Sequence, residues 1–360
     1  MDFLLTLTNR SGLVDSTIAP ASDIAIQANS TPLAFIGILI LAILIASMVM
    51  WSRFVVAYVK GVPFFPPLEP RPIQRWALTD IFMALACLYL VSILAASIAT
   101  RIGVDRASLV EGSASSFPKV AIATFQLLAI VLMTLLIAAR YRVSIANIGW
   151  STKHIVQDIR LGLLAFVMAL PPIYILMIAS TLLFKKPYNH PVVDAIKNDP
   201  SSLPMAIWLA VVIAPLLEEF GFRVLLQGFF ESIARGPLSM KLIFGGRRET
   251  QDTSPELNLD KSPAQATPQD LESNPNQEII TDSSQLPWWP VIVSGILFGL
   301  AHFDYGASWL PLAVLGMVLG YLYRITNRIW PSLVVHCCLN GMTMLNLTII
   351  TLYGDPSKIP

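Results

Sequence analysis

Within the hexapeptide Glu218-Glu219-Phe220-Gly221-Phe222-Arg223, two carboxylates and a guanidinium lie inside an apolar stretch that runs from 203 toward 234. A charge at the centre of a bilayer costs about 2.5–3.5 kcal/mol on insertion scales, so such groups must be paired, hydrated or used. On a helix, residues four apart share a face, and Glu219 therefore reaches Arg223. Glu218 is turned about 100° away and is not held by the same arginine. Two of the four histidines also sit in apolar runs: His302 closes Phe298-Gly299-Leu300-Ala301-His302, and His336 opens His336-Cys337-Cys338-Leu339-Asn340. The same spacing sets Phe298 beside His302 and stacks His336 with Asn340.

These are the parts for activating water on a carbonyl. A carboxylate in apolar surroundings can serve as general base. A neutral imidazole can help hold the water, or ligate a metal. A second imidazole and an amide can donate to the oxyanion that develops. Serine or cysteine nucleophiles fit less well, because there is no Gly-x-Ser-x-Gly elbow and a helix points Cys337 and Cys338 away from His336. The absence of HExxH excludes a soluble-type zincin site.

The elements that must position these groups are membrane helices. Of 360 residues, 55% are hydrophobic and only 13% charged, with mean hydropathy +0.65; soluble domains carry roughly 25% charge. The expected fold is an all-α polytopic transmembrane bundle of about eight spans, near 33–51, 77–99, 119–139, 161–184, 203–234, 289–303, 309–323 and 330–352. The first residues lack a basic n-region and read as mature chain. Segment 1–32 is expected to be an extracytoplasmic N-terminal segment, 33–200 the N-terminal helices, 201–352 a catalytic core, and 353–360 a tail. Inside the core, 245–286 is rich in Ser, Pro, Gln, Asp and Glu, and reads as a disordered polar insert. Residues 143–160 read as a short surface segment. Fifteen of the 24 Lys and Arg fall in the loops after spans one, three, five and seven, which places both termini outside the cytoplasm. An integral protein of the inner (cytoplasmic) membrane is expected. Net charge +1 gives no reason to expect nucleic acid as partner, and the three cysteines show neither a disulfide framework nor CxxC metal spacing.

Read together, EExxxR at Glu218–Arg223, FxxxH at Phe298–His302 and HxxxN at His336–Asn340 resemble the CPBP intramembrane proteases, which join type II CAAX prenyl endopeptidases with the Abi-type bacteriocin-processing and immunity proteins. Ala214-Pro215 and Arg328-Ile329-Trp330-Pro331-Ser332 fit as well. The resemblance covers roughly 200–350. It implies that Glu218 activates water with help from His302, that His336 and Asn340 form the oxyanion hole, and that Glu219 with Arg223 holds the architecture while Phe298 packs in support. It implies a peptide or lipidated-protein substrate in the bilayer. Zinc held by two histidines and a glutamate, or a metal-free Glu/His-activated water, are both compatible with the residues. Gly221 and Val224 depart from the common family pattern, which has a bulkier apolar residue and a glycine there.

Other readings place the same residues in a non-catalytic scaffold or immunity partner, or in a proton-coupled transporter. Asp80 reads as an interfacial or capping residue, Gln126 as interhelical glue, Pro171-Pro172 as a kink, and Cys337 and Cys338 as small packing residues. In a plain eight-span bundle His302 falls late in one span and His336 early in the next span of the same direction, with Glu218 midway along a third. For the three to meet, spans must tilt, break or re-enter. Pro215 and the Phe303-Asp304-Tyr305-Gly306 turn are the expected break points.

Overall fold

A computed structural model describes residues 30–69, 76–104, 116–185, 196, 200–234 and 286–353. The expected N-terminal segment before Ser30, the polar insert before Leu286 and the tail beyond Tyr353 lie outside them. The described residues form helices without a strand: α1 Ser30–Val59, α2 Leu78–Arg101, α3 Ser116–Phe125, α4 Leu127–Tyr141 and α5 Ile155–Phe184. After these come α6 Leu203–Ala234, α7 Trp289–Leu300, α8 Trp309–Thr326 and α9 Trp330–Tyr353. Helices α3 and α4 make one span, interrupted at Gln126. The chain is an all-α integral membrane protein.

Seven of the eight expected spans are helices long and apolar enough to cross a membrane. The sixth is not. Helix α7 has 12 residues, a rise of about 18 Å against a hydrocarbon core of about 30 Å. It stops at His302, turns through Phe303–Ser308 with Gly306 at φ +84°, and runs back as α8. Small residues let the two helices close on each other. A Cβ at Gly299 would lie 2.3 Å from the Trp309 carbonyl oxygen, and one at Gly295 would lie 2.7 Å from the Met317 nitrogen. Gly295 and Gly299, four apart, make the small-residue stripe that brings membrane helices into backbone contact.

Pro215 does not break α6. The helix widens instead into two π segments, Leu209–Ile213 and Phe220–Gln227. In the first, the Ala214 N–H bonds to the Leu209 carbonyl, five residues back. The next N–H in that register would serve Ala210, but Pro215 has none. Helix α5 carries the same kind of vacancy, because Pro172 cannot serve the Met168 carbonyl four residues behind it; Trp51 Nε1 of α1 donates there at 3.1 Å.

Two larger apolar cores hold the bundle, beside a smaller one of Ile196, Leu203, Ala206, Met344 and Leu347. Ile130, Met133 and Ile137 of α4 pack on Phe220, Val224 and Phe229 of α6, while α5, α8 and α9 share Leu161, Phe166, Leu319, Leu322, Val335 and Leu339. Val224 is fully buried in the first core. Residues 143–160 are no free surface segment. Ile148 is fully buried, Trp150 stacks on Phe220 with centroids 6.1 Å apart, and Trp330 Nε1 donates to the Ser151 carbonyl at 2.9 Å.

At the same end Arg328 ties its own loop to the segment after α1 and to the first turn of α5. Asn327, in the left-handed conformation that asparagine tolerates, ends α8 and releases the chain. Arg328 then donates to both Asp158 oxygens at 2.7 and 2.9 Å, and its Nη1 and Nη2 both donate to Glu69. Burial alone would lower the Arg328 pKa; the hydrogen bonds to Glu69 and Asp158 outweigh it and hold it above the ordinary arginine value. These are segments that the charge count places on one side. Asp80 caps α2 by accepting the Ala77 N–H at 2.6 Å and the Tyr141 hydroxyl at 2.5 Å, as its position suggested.

Candidate active site

The π segments and the short α7 bring Glu218, His302 and His336 around one cavity of about 270 Å³, which Asn340 also lines. Glu218 comes from α6. Its Oε2 is buried and has no hydrogen-bond partner. It lies 3.9 Å from His302 Nε2 and 3.7 Å from His336 Nε2, too far for direct hydrogen bonds and suited to a bridging water.

Both imidazoles are aimed from behind. His302 Nδ1 lies 2.9 Å from the Phe298 carbonyl, one turn back on α7. A carbonyl only accepts, so Nδ1 carries a proton, and the neutral form of the ring would turn the Nε2 lone pair to Glu218. His336 Nδ1 lies 2.9 Å from Glu219 Oε1, and that carboxylate likewise fixes the proton on Nδ1. Glu219 spends its other oxygen on Arg223 Nε at 3.1 Å, the pair expected from the four-residue spacing. Glu219 and Arg223 are both fully buried. Each charge therefore depends on the other, since removing one partner of a buried pair strands the second.

Phe298 fills the space between these groups. Its ring centroid is 5.1 Å from that of His302 and 5.6 Å from that of His336, and Arg223 Cζ sits 5.1 Å above it. Asn340 Nδ2 donates to the Ala210 carbonyl at 2.8 Å. That is the carbonyl Pro215 leaves unserved, so the proline in α6 orients an amide on α9. The second Nδ2 proton remains for the cavity.

Ser294 was not singled out from sequence. It accepts from Arg223 Nη1 at 3.3 Å and donates to the Phe222 carbonyl at 3.0 Å. It stands four residues before Phe298 and eight before His302, so extending the helical stripe one turn backward would have found it. Tyr305 lines the cavity and lies edge-on to His302, with centroids 5.8 Å apart. Cys337 and Cys338 are free and partly buried. Among the described residues, no group of three or more His, Cys, Asp or Glu side chains is arranged to hold a metal ion.

Residues 200–342 match the family model of the type II CAAX prenyl endopeptidases, Rce1-like. The similarity to that family is confined to this segment. The segment contains Glu218, Glu219, Arg223, Phe298, His302, His336 and Asn340, and it ends two residues beyond Asn340. Helices α1 to α5 lie outside the Rce1-like match. No curated protein and no solved structure matches the chain.

Proposed function

We propose that the chain is an intramembrane endopeptidase that hydrolyses a peptide bond of a membrane-associated substrate, CAAX-type or a small peptide, with a water activated by Glu218 and His302. One observation carries the reading: a buried carboxylate oxygen without a hydrogen-bond partner faces two Nε2 atoms whose rings are each anchored through Nδ1. A water between Glu218 and His302 donates one hydrogen to each and is left with a lone pair for the substrate carbonyl. As its oxygen bonds the carbonyl carbon, its proton passes to Glu218. The oxyanion is met by the second Asn340 Nδ2 proton and by His336, which in its doubly protonated form keeps Nδ1–H on Glu219 and turns Nε2–H to the cavity. Glu218 then returns the proton to the leaving nitrogen as the C–N bond breaks, giving an acid and an amine. The apolar walls restrict bulk water, so each of these interactions acts in a low dielectric.

The test compares membranes bearing wild type, Glu218→Gln and His302→Ala by mapping peptide termini, with each variant purified to show that it is folded. Cut sites present in wild type and lost in both variants support the reading and name the substrates. Identical termini in all three would sink it in favour of a scaffold or a transporter.

A further inference from the structure

The cavity that holds Glu218 has a wall outside the Rce1-like segment. Ala123 and Gln126, at the junction of α3 and α4, line it. Two tethers fix that wall: Trp208 Nε1 of α6 donates to Thr124 Oγ1 at 3.0 Å, and Gln126 Nε2 donates to Ser92 Oγ of α2 at 2.8 Å. Gln126 is interhelical glue, but with only half of its amide.

Ser92 settles which half. A hydroxyl has one proton, and Ser92 gives it to the Leu88 carbonyl at 2.7 Å. Towards Gln126 the Ser92 oxygen can only accept. The glutamine must therefore turn its NH2 to Ser92, and its carbonyl Oε1 is left for the cavity. Most of the remaining polar lining has work in the proposed reaction: Glu218, His302, His336 and Asn340 act on water or oxyanion, and Tyr305 lies against His302. The rest is apolar, including Leu209, Ile213 and Leu217. A peptide entering such a space gives up the water on its backbone N–H groups, and each unpaired N–H then weakens binding.

We propose that Gln126 is a substrate-binding residue whose Oε1 accepts a backbone N–H of the substrate and so lays the extended peptide across Glu218. This rests on the peptidase reading above. The group recognised is a secondary amide; an N-methylated or prolyl residue at that place in the substrate lacks the donor.

Binding is measured on the full chain in detergent micelles carrying Glu218→Gln, so that affinity is read without turnover. The probe is a fluorescein-labelled peptide ending in S-farnesyl-cysteine, two valines and methionine, followed by anisotropy. Adding Gln126→Leu should weaken binding roughly five- to tenfold, whereas Ser92→Ala, which cuts the tether and keeps the amide, should change it less than about twofold. Gln126→Glu, which keeps an acceptor, should bind within about threefold of Gln126. N-methylation at one backbone position of the probe should weaken binding to the Gln126 protein and leave binding to Gln126→Leu unchanged. Equal affinity with and without Gln126→Leu, or the same loss from Gln126→Leu as from Ser92→Ala, overturns the proposal, and no binding by either protein counts the same way. A failure of the peptidase reading shows differently, as cleavage of the same probe that is absent in wild type or persists in Glu218→Gln.

Discussion

Gly299→Ala tests whether the hairpin of α7 and α8 sets the catalytic distance. A Cβ at Gly299 would lie 2.3 Å from the Trp309 carbonyl oxygen, 2.7 Å from the Ala313 nitrogen and 2.6 Å from Ala313 Cβ. Ordinary carbon–oxygen contact begins at about 3.3 Å, so α7 must retreat by roughly 1 Å. Two of the three opposing atoms are backbone and cannot swing aside. The His302 N–H bonds to the Gly299 carbonyl at 2.9 Å, so the histidine travels with the glycine. A water donating two hydrogen bonds of about 2.8 Å at a tetrahedral angle spans about 4.6 Å. The Glu218–His302 separation of 3.9 Å fits within that span. A 1 Å retreat along the same line takes it to about 4.9 Å, which stretches both arms to about 3.0 Å and shifts the water from its position against the substrate carbonyl. Misplacement of that order costs about 10²-fold in rate, and overpacking costs about 1–3 kcal/mol of stability. The assay is peptide-cleavage kcat in proteoliposomes, read beside the thermal melting of the same preparation. Gly221→Ala is the control, since a Cβ there meets nothing within 4 Å although Glu219 is only two residues away; it should stay within about twofold of wild type. A folded Gly299→Ala protein with wild-type kcat would refute the argument.

Glu218→Gln should keep the fold and lower kcat by about 10²–10⁴, the range for losing a general base; the same proteoliposome assay reads it. Pro215→Ala gives the Ala210 carbonyl a backbone N–H that competes with Asn340, so kcat should fall about tenfold with KM nearly unchanged. In an Asn340→Ala background the same change should add little, and full additivity of the two would show that the proline does not act through the amide. Arg328→Ala strands Asp158, whose side chain is 1% exposed, and should cost about 3–5 kcal/mol in denaturation from micelles. Glu69→Gln, at a side chain 41% exposed, should cost less than about 1 kcal/mol. Because the folded-state pKa of Arg328 is raised, its contribution is fully present below the unfolded arginine value and lost only above it. Denaturation midpoints should therefore show no alkaline step from this clamp at working pH.

The chemistry was legible in sequence where it followed one helix. Four-residue spacing placed Glu219 on Arg223 and Phe298 beside His302, and both contacts are present. Hydropathy found every apolar stretch but could not tell a span from α7, whose residues are as apolar as any and whose distinguishing feature is length. The meeting of the three motifs required a re-entrant turn, and the Asp304–Gly306 turn supplies it. The expected break at Pro215 is a π turn because a buried helix can widen and borrow a donor from a neighbour at less cost than stopping. The grip of Glu219 on His336, and that of Pro215 on Asn340 through Ala210, cross more than a hundred residues of chain. No local pattern encodes such contacts. The docking of 143–160 went unseen for the same reason, since Ile148 is buried in the core that holds Phe220 and Val224, and the partly buried Trp150 packs on Phe220 of α6 and Trp330 of α9.

Two of the carbonyls that prolines leave open, those of Met168 and Ala210, have a consequence for biosynthesis. Met168 waits for Trp51, already made when α5 emerges, but Ala210 waits for Asn340, which is synthesised 130 residues later. In hydrocarbon a bare carbonyl costs several kcal/mol, so α6 stays incomplete until the last described helix has inserted beside it. A nascent chain is thereby kept from completing the candidate site early, and one that stops before Trp330 carries an exposed defect for quality control to read. Chains truncated at 329 should be degraded faster in pulse-chase than full-length Glu218→Gln, and a full-length Asn340→Leu chain should share much of that instability.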